Sequence, residues 1–175
     1  MSRPEPSPKV VEPEQLFREL DQARARGRTI VFTNGCFDLL HVGHLQLLEA
    51  AANEGDLLVV GVNRDESVTR LKGAGRPVVP FEERAGLLAG LAVVDRVTGF
   101  AEDSPLLLIE RIRPDVLVKG EDWALDSIVG RSIVESRGGR VIRSPIRSRI
   151  STSDLIARVQ RCRGPIRASR AADRK

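Results

Sequence analysis

The imidazoles of this 175-residue chain are two, His41 and His44, and Gly43 stands between them. Imidazole is the side chain that can act as a neutral or a cationic donor near neutral pH. Both lie in Thr29-Ile-Val-Phe-Thr-Asn-Gly-Cys-Phe-Asp-Leu-Leu-His-Val-Gly-His44. The stretch opens as an apolar run that breaks at the turn dipeptide Asn34-Gly35. It closes at the mouth of a segment with helical apolar spacing (Leu45, Leu47, Leu48, Ala51, Ala52), which Gly55 can stop. A buried strand thus passes through a loop into a helix that opens on two imidazoles. A helix N-terminus offers unpaired N–H groups and partial positive charge, which suits phosphate. Gly43 lets a ligand come close to the backbone. One histidine on a helix is ordinarily a packing residue. Both histidines of the chain in one glycine-containing loop argue instead for a site.

The elements that must position this loop alternate along the chain. Strands are predicted at 57–62, 93–97, 115–119 and 140–143, besides the one that opens the histidine stretch. Helices are predicted from Pro13 to near Gly27, over 81–91 (carrying Arg84), 104–112, 125–137 (stopped by Gly138-Gly139) and 151–162, where Ser151 and Asp154 fit a capping box. Asn63-Arg-Asp-Glu reads as a loop or helix start, and 70–77 as a mobile basic, glycine-rich loop at a strand's ligand edge. Strand–helix alternation predicts a doubly wound α/β domain, a five-stranded parallel sheet with helices on both faces. Residues 1–12 are expected to be a disordered or extended arm, 13–162 a single domain and 163–175 a disordered basic tail. No internal repeat divides the chain.

Asn34-Gly-Cys-Phe-Asp-Leu-Leu-His-Val-Gly-His44 resembles the signature of the His-x-Gly-His nucleotidyltransferase superfamily. Within it, the chain is most similar to the adenylyltransferases that form ADP-heptose. The likeness extends through Gly61-Val-Asn-Arg-Asp-Glu-Ser-Val-Thr-Arg-Leu-Lys-Gly73, Pro114-Asp-Val-Leu-Val-Lys-Gly-Glu-Asp-Trp123 and Ile150-Ser-Thr-Ser-Asp-Leu-Ile156. The resemblance implies a Rossmann-like fold and transfer of AMP from ATP to a sugar 1-phosphate, with release of pyrophosphate. It implies that His41, His44 and Lys72 are catalytic and face the phosphates. It places the nucleotide on Phe32, Thr33, Asn34, Gly35, Cys36, Phe37, Asp38, Gly43, Lys119, Gly120, Asp122, Ser151, Thr152 and Ser153. The sugar phosphate falls to Asn63, Arg76, Arg84 and Glu121; for each of the two arginines a structural salt bridge is an equal alternative. Mg²⁺ is expected with the triphosphate, held by phosphate oxygens and water, with no protein ligand named. A homodimer is also expected. Two departures stand out. Glu121 replaces the second glycine of the commoner Gly-Gly-Asp pattern. Ser153 stands where threonine is commoner, so the hydroxyl is kept. Relatives are often fused to a sugar kinase that does not fit in this length, so a separate kinase is expected to make the sugar 1-phosphate.

The formal net charge is +4 and aromatic residues are few, with no tyrosine. Base-stacking platforms are therefore not indicated, and a nucleic-acid partner rests on the basic tail alone. No apolar run is long enough for a bilayer, and the Pro-rich N-terminus is not a targeting segment, so no membrane partner is expected. Cys36 and Cys162 match no metal spacing and suggest a reducing cytoplasm. The nearest rival is a cytidylyltransferase acting on glycerol 3-phosphate or a similar alcohol phosphate, whose usual Gly-Asp-Asp-Trp is close to Gly120-Glu-Asp-Trp123. A non-catalytic nucleotide-binding regulator is the alternative of another class.

Overall fold

A computed structural model describes residues 8–162 apart from 146 and 149. Its sheet has five strands: β1 (Ile30–Gly35), β2 (Leu57–Asn63), β3 (Arg96–Phe100), β4 (Val116–Gly120) and β5 (Arg140–Ser144). All neighbouring pairs are parallel, in the order β3-β2-β1-β4-β5. The chain order therefore reverses between β1 and β4, where an open parallel sheet forms its ligand crevice. The helices are α1 (Pro13–Ala25), α2 (Val42–Ala52), α3 (Asp65–Lys72), α4 (Phe81–Ala89), α5 (Leu106–Ile112), α6 (Arg131–Ser136) and α7 (Thr152–Arg161).

Strand residues alternate between two buried layers. Val31, Leu58, Val60, Val62, Val116 and Val118 meet Leu47, Leu48 and Ala51 of α2 and Ala85 and Leu88 of α4. Ile30, Phe32, Val59 and Leu117 meet Leu16 and Leu20 of α1 and Leu108, Ile109 and Ile112 of α5. This is why the strands read as unbroken apolar runs. Each such side chain contributes roughly 1.5–3 kcal/mol when fully buried. Exposed pairs such as Arg70–Asp103 contribute at most about 1 kcal/mol, so the two apolar layers hold the sheet.

The expected architecture is present, with local corrections. Asn34-Gly35 is not a turn that breaks the run but the last two residues of β1, pairing with Gly61 and Val62 of β2. The third strand begins at Arg96 rather than at 93, because Val94 turns back to Leu91 and is buried under the sheet. Gly99 belongs to that strand because a Cβ there would come within 2.7 Å of the Phe81 ring. The helix expected over 125–137 is split into a 3-10 turn (Leu125–Ser127) and α6. Gly130 separates them at φ +86°, held flush against Ile109, where a Cβ would come within 2.7 Å. Arg70 to Lys72 close α3, so the glycine-rich loop starts only at Gly73. Residues 8–12 of the expected arm are seated: Val10 bridges Val97 in parallel, Val97 N–H donates to the Lys9 carbonyl at 2.8 Å, and Val11 is buried. An apolar Val-Val pair beside an open strand edge gains both burial and ladder bonds there. The rest of the expected arm (1–7) and the tail from 163 lie outside the described residues. No described helix is long and apolar enough to cross a membrane.

Candidate active site

A cleft of about 920 Å³ runs along the C-terminal edge of the sheet. Its middle is the loop from β1 into α2. His41 is the N-cap of α2, and its Nδ1 accepts the Gly43 N–H at 3.1 Å. His44 lies one turn on, and its Nδ1 accepts the His41 N–H at 3.4 Å. The two rings stack with centroids 3.9 Å apart. With Nδ1 used as an acceptor on both rings, each neutral imidazole carries its proton on Nε2 and is a donor there. Burial pushes the His44 pKa down to about 4, and the neighbouring His41 pushes the same way. Burial also lowers His41. At neutral pH the site therefore offers two aligned neutral donors, which an arriving anion would make more basic.

Lys119 forms the floor at the β1/β4 switch. Its ammonium donates to the Asn34 carbonyl at 3.1 Å and to the Asn34 side-chain oxygen. It also lies 5.7 Å from the Trp123 ring centroid. Burial lowers its pKa to about 8, against the opposing pull of Asp122. On this flank Gly120, Glu121, Asp122 and half-exposed Trp123 follow β4 into the cleft. Glu121 is fixed by its backbone, with its N–H on the Ser144 carbonyl at 3.0 Å and its carbonyl on Arg143. Ser151, Thr152 and Ser153 bring the N-terminus of α7 into the cleft, where Thr152 Oγ1 donates to the Asp38 carbonyl at 2.8 Å. The capping box is formed: the Asp154 N–H donates to Ser151 Oγ at 3.2 Å, and the Ser151 N–H to Asp154 Oδ2 at 2.9 Å.

The opposite flank carries Asn63 at the end of β2, Lys72 at the end of α3, and Arg76. Lys72 is exposed, and among the described residues no hydrogen bond or ion pair occupies its ammonium. Asn63 is buried and donates to Ser67 Oγ at 2.9 Å. Arg76 donates through Nε to Asp38 Oδ2 at 2.6 Å. Burial alone would raise the Asp38 pKa, but the Val78 and Val79 N–H groups and Arg76 outweigh it and hold the carboxyl low. Burial raises the Cys36 thiol, so it is not a poised nucleophile.

Most residues singled out in the sequence meet in this cleft: Asn34 to Asp38, His41, Gly43, His44, Asn63, Lys72, Arg76, Lys119 to Asp122 and Ser151 to Ser153 all line it. Phe32, Thr33 and Arg84 do not. Phe32 and Thr33 are fully buried inside β1. Arg84 is 0 % exposed. It donates to the carbonyls of Val79 (2.8 Å), Cys36 and Asn63 (2.9 Å) and pairs with Asp65 at 2.6 Å. Its guanidinium is engaged inside the fold and absent from the cleft lining, which favours the structural salt bridge over a sugar-phosphate contact. Sequence reading missed Leu47, Leu71, Asp103, Ser104, Pro105, Val129 and Ser148, which also line the cleft. For Asp103 to Pro105 the signal was available, since they follow a parallel strand. Placing that strand three residues early moved its ligand end away from them.

The cytidylyltransferase-like family matches residues 32–158. The chain is 51% identical over 147 residues to the bifunctional protein HldE of Pseudomonas paraeruginosa, covering 84% of this chain and 31% of that one. It is 52% identical over 141 residues to the bifunctional protein HldE of Geobacter sulfurreducens, covering 81% and 29%. The chain thus spans about a third of the length of these curated relatives. Among solved structures it resembles a lipopolysaccharide core biosynthesis protein from Thermoplasma volcanium, with TM-score 0.58 and 32% identity, covering 71% of this chain and all of that one. A pantoate-beta-alanine ligase from Francisella tularensis, at TM-score 0.59 and 16% identity over 86% of this chain and 76% of that one, shares the fold.

Proposed function

The chain belongs to the cytidylyltransferase-like family, and from that premise we propose that it transfers AMP from ATP to a sugar 1-phosphate, heptose 1-phosphate first among them. The observation that carries this reading is the stacked pair of Nε2–H donors at the start of α2, in a cleft at the sheet's switch point. The choice of sugar is supported by the resemblance through Arg70-Leu-Lys-Gly73 and through Val129-Gly-Arg131 followed by Arg137-Gly-Gly-Arg140.

In this reading an oxygen of the sugar phosphate attacks the α-phosphorus, and the bond to the β-phosphate oxygen breaks as pyrophosphate leaves. His41 and His44 donate to the α-phosphate oxygens, whose negative charge grows in the transition state. Lys72 follows the charge that moves onto the leaving group. The hydroxyls and N–H groups of Ser151 to Ser153 hold the outer phosphates. The nucleoside lies over β4, with Asp122 accepting from ribose hydroxyls, and the sugar phosphate enters past Asn63. Glu121, exposed on the β4 side, selects among sugars without taking part in chemistry. Among the described residues no three metal-binding side chains cluster. A Mg²⁺ ion carried in by the triphosphate would be held by phosphate oxygens and water and would neutralise phosphate charge. A kinase step supplies the sugar 1-phosphate. The two free cysteines accord with a reducing cytoplasmic setting.

The test is pyrophosphate release with each nucleoside triphosphate against heptose 1-phosphates and alcohol phosphates. ATP with a heptose 1-phosphate is the expected best pair. A preference for CTP with glycerol 3-phosphate would install the rival cytidylyltransferase reading. Tight nucleotide binding with no turnover of any pair would leave a regulator.

A further inference from the structure

We propose that Asp38 is a positioning residue of this cleft and not a ligand contact: its carboxylate fixes the segment 76–79 and, through it, the end of α3 that carries Lys72. The proposal rests on the reading above in one respect, that Lys72 acts on phosphate.

Asp38 lines the cleft in sequence register with the nucleotide-facing loop, yet its side chain is spent. It is 1% exposed. Oδ2 accepts Arg76 Nε at 2.6 Å and the Val78 N–H at 2.9 Å, and Oδ1 accepts the Val79 N–H at 3.0 Å. Three donors converge on it from one short segment, and charge-assisted bonds of this kind are the strong ones. The same segment is held from its other side by fully buried Arg84, which takes the Val79 carbonyl. N–H groups thus go to an acid and a carbonyl to a base.

The link continues to Lys72. The Arg76 carbonyl accepts Thr69 Oγ1 at 2.6 Å, and Thr69 lies in the last turn of α3. Between Lys72 and Arg76, Gly73 and Gly75 adopt φ of +92° and +86° with open space around them. The end of α3 is also held by Arg70, on the Ala101 carbonyl at 2.6 Å and on Asp103 at 2.7 Å, and by the Gly73 N–H on the Thr69 carbonyl at 2.9 Å; the Asp38–Arg76–Thr69 chain is what ties that end to the loop between β1 and α2. Asp38 also reaches the third phosphate-facing element: its carbonyl accepts Thr152 Oγ1 at 2.8 Å, at the start of α7. Its neighbours Phe37 and Leu39 both sit at φ +48°, a left-handed conformation that is unfavourable for non-glycine residues unless the surroundings hold it. The backbone is bent there in order to turn residue 38 inward.

The experiment is a double-mutant cycle on kcat and KM, with limited trypsin cleavage after Lys72 as a second readout. Asp38→Asn keeps the size but cannot accept three donors. It should lower kcat by about 30-fold with KM for ATP changed less than about 3-fold, and cost less than about 3-fold when Lys72→Ala is already present. Thr69→Val, at an exposed position, cuts the link without disturbing Asp38. It should lower kcat by roughly 3–10-fold and lose that effect in the Lys72→Ala background. Trypsin should cleave after Lys72 faster in both variants. Losses that multiply independently of Lys72, or a rise in KM for ATP at constant kcat, would overturn the proposal. If Asp38→Asn does not fold, the Thr69→Val cycle decides alone. If the wild type transfers no nucleotide, the functional reading fails while the cleavage rate still judges the clamp, an unchanged rate refuting it.

Discussion

His41 and His44 present the same atom, Nε2–H, because each gives its Nδ1 to a backbone N–H of its own helix start. Replacing either with alanine removes a preorganised donor. Each variant should lose about 100-fold in kcat, or roughly 3 kcal/mol, as judged by pyrophosphate release on protein of native circular dichroism. His44 also writes a pH signature into stability. Its folded pKa of about 4 lies below the ordinary imidazole value of 6.5. The unfolded chain therefore binds the proton first as pH falls. Stability from this group is complete above 6.5, declines below it and is gone below about 4, a loss of up to about 3 kcal/mol. Urea titrations at pH 7 and pH 4.5 should show that His44→Asn flattens this part of the slope. Glu121→Gly should change the ratio of kcat/KM for two sugar phosphates at saturating ATP; an unchanged ratio would deny Glu121 a selective role. That the histidines line the cleft was readable from their spacing, and that Lys119 and the hydroxyl run do so from the resemblance. The place of Arg84 was not. An arginine looks the same in sequence whether it faces phosphate or three buried carbonyls, and only the packing of α4 against β2 and β3 tells.

Each element was legible where apolar periodicity was long, and misplaced where a glycine did something other than stop a helix. Gly99 and Gly130 admit the Phe81 ring and Ile109, and Gly55 admits Val31 and Thr29. A reading based on turn residues cannot see a close approach from a distant part of the chain. The distinction has opposite energetic signs. Gly55→Ala would put a Cβ within 2.6 Å of Val31 and 2.9 Å of the Thr29 carbonyl, and should destabilise by roughly 1–3 kcal/mol. Gly86 in α4 has nothing within 4 Å of such a Cβ, so Gly86→Ala should stabilise by about 0.5–1 kcal/mol. Paired denaturant melts of the two variants measure both signs.

The molecule as a whole follows from alternation of strand and helix, which fixed a parallel sheet before any site was considered. The sheet order was not legible, because alternation is silent about which strand stands beside β1. That order decides where β4 lies and hence that Lys119 can reach Asn34. It also sets Asn63, at the end of β2, and Asp122, just after β4, on either side of β1. Between them stand two protonated nitrogens and a cysteine whose thiol is held up by burial, none suited to carrying a nucleotidyl group. In the proposed reaction that leaves the phosphorus a single displacement, with acceptor and leaving group in line. ATP made chiral at the α-phosphorus by sulfur substitution should therefore yield a nucleotide-sugar of inverted handedness, read by phosphorus NMR. Retained handedness would mean that the chain itself is covalently loaded in mid-reaction, and that one of those nitrogens gives up its proton to become a nucleophile.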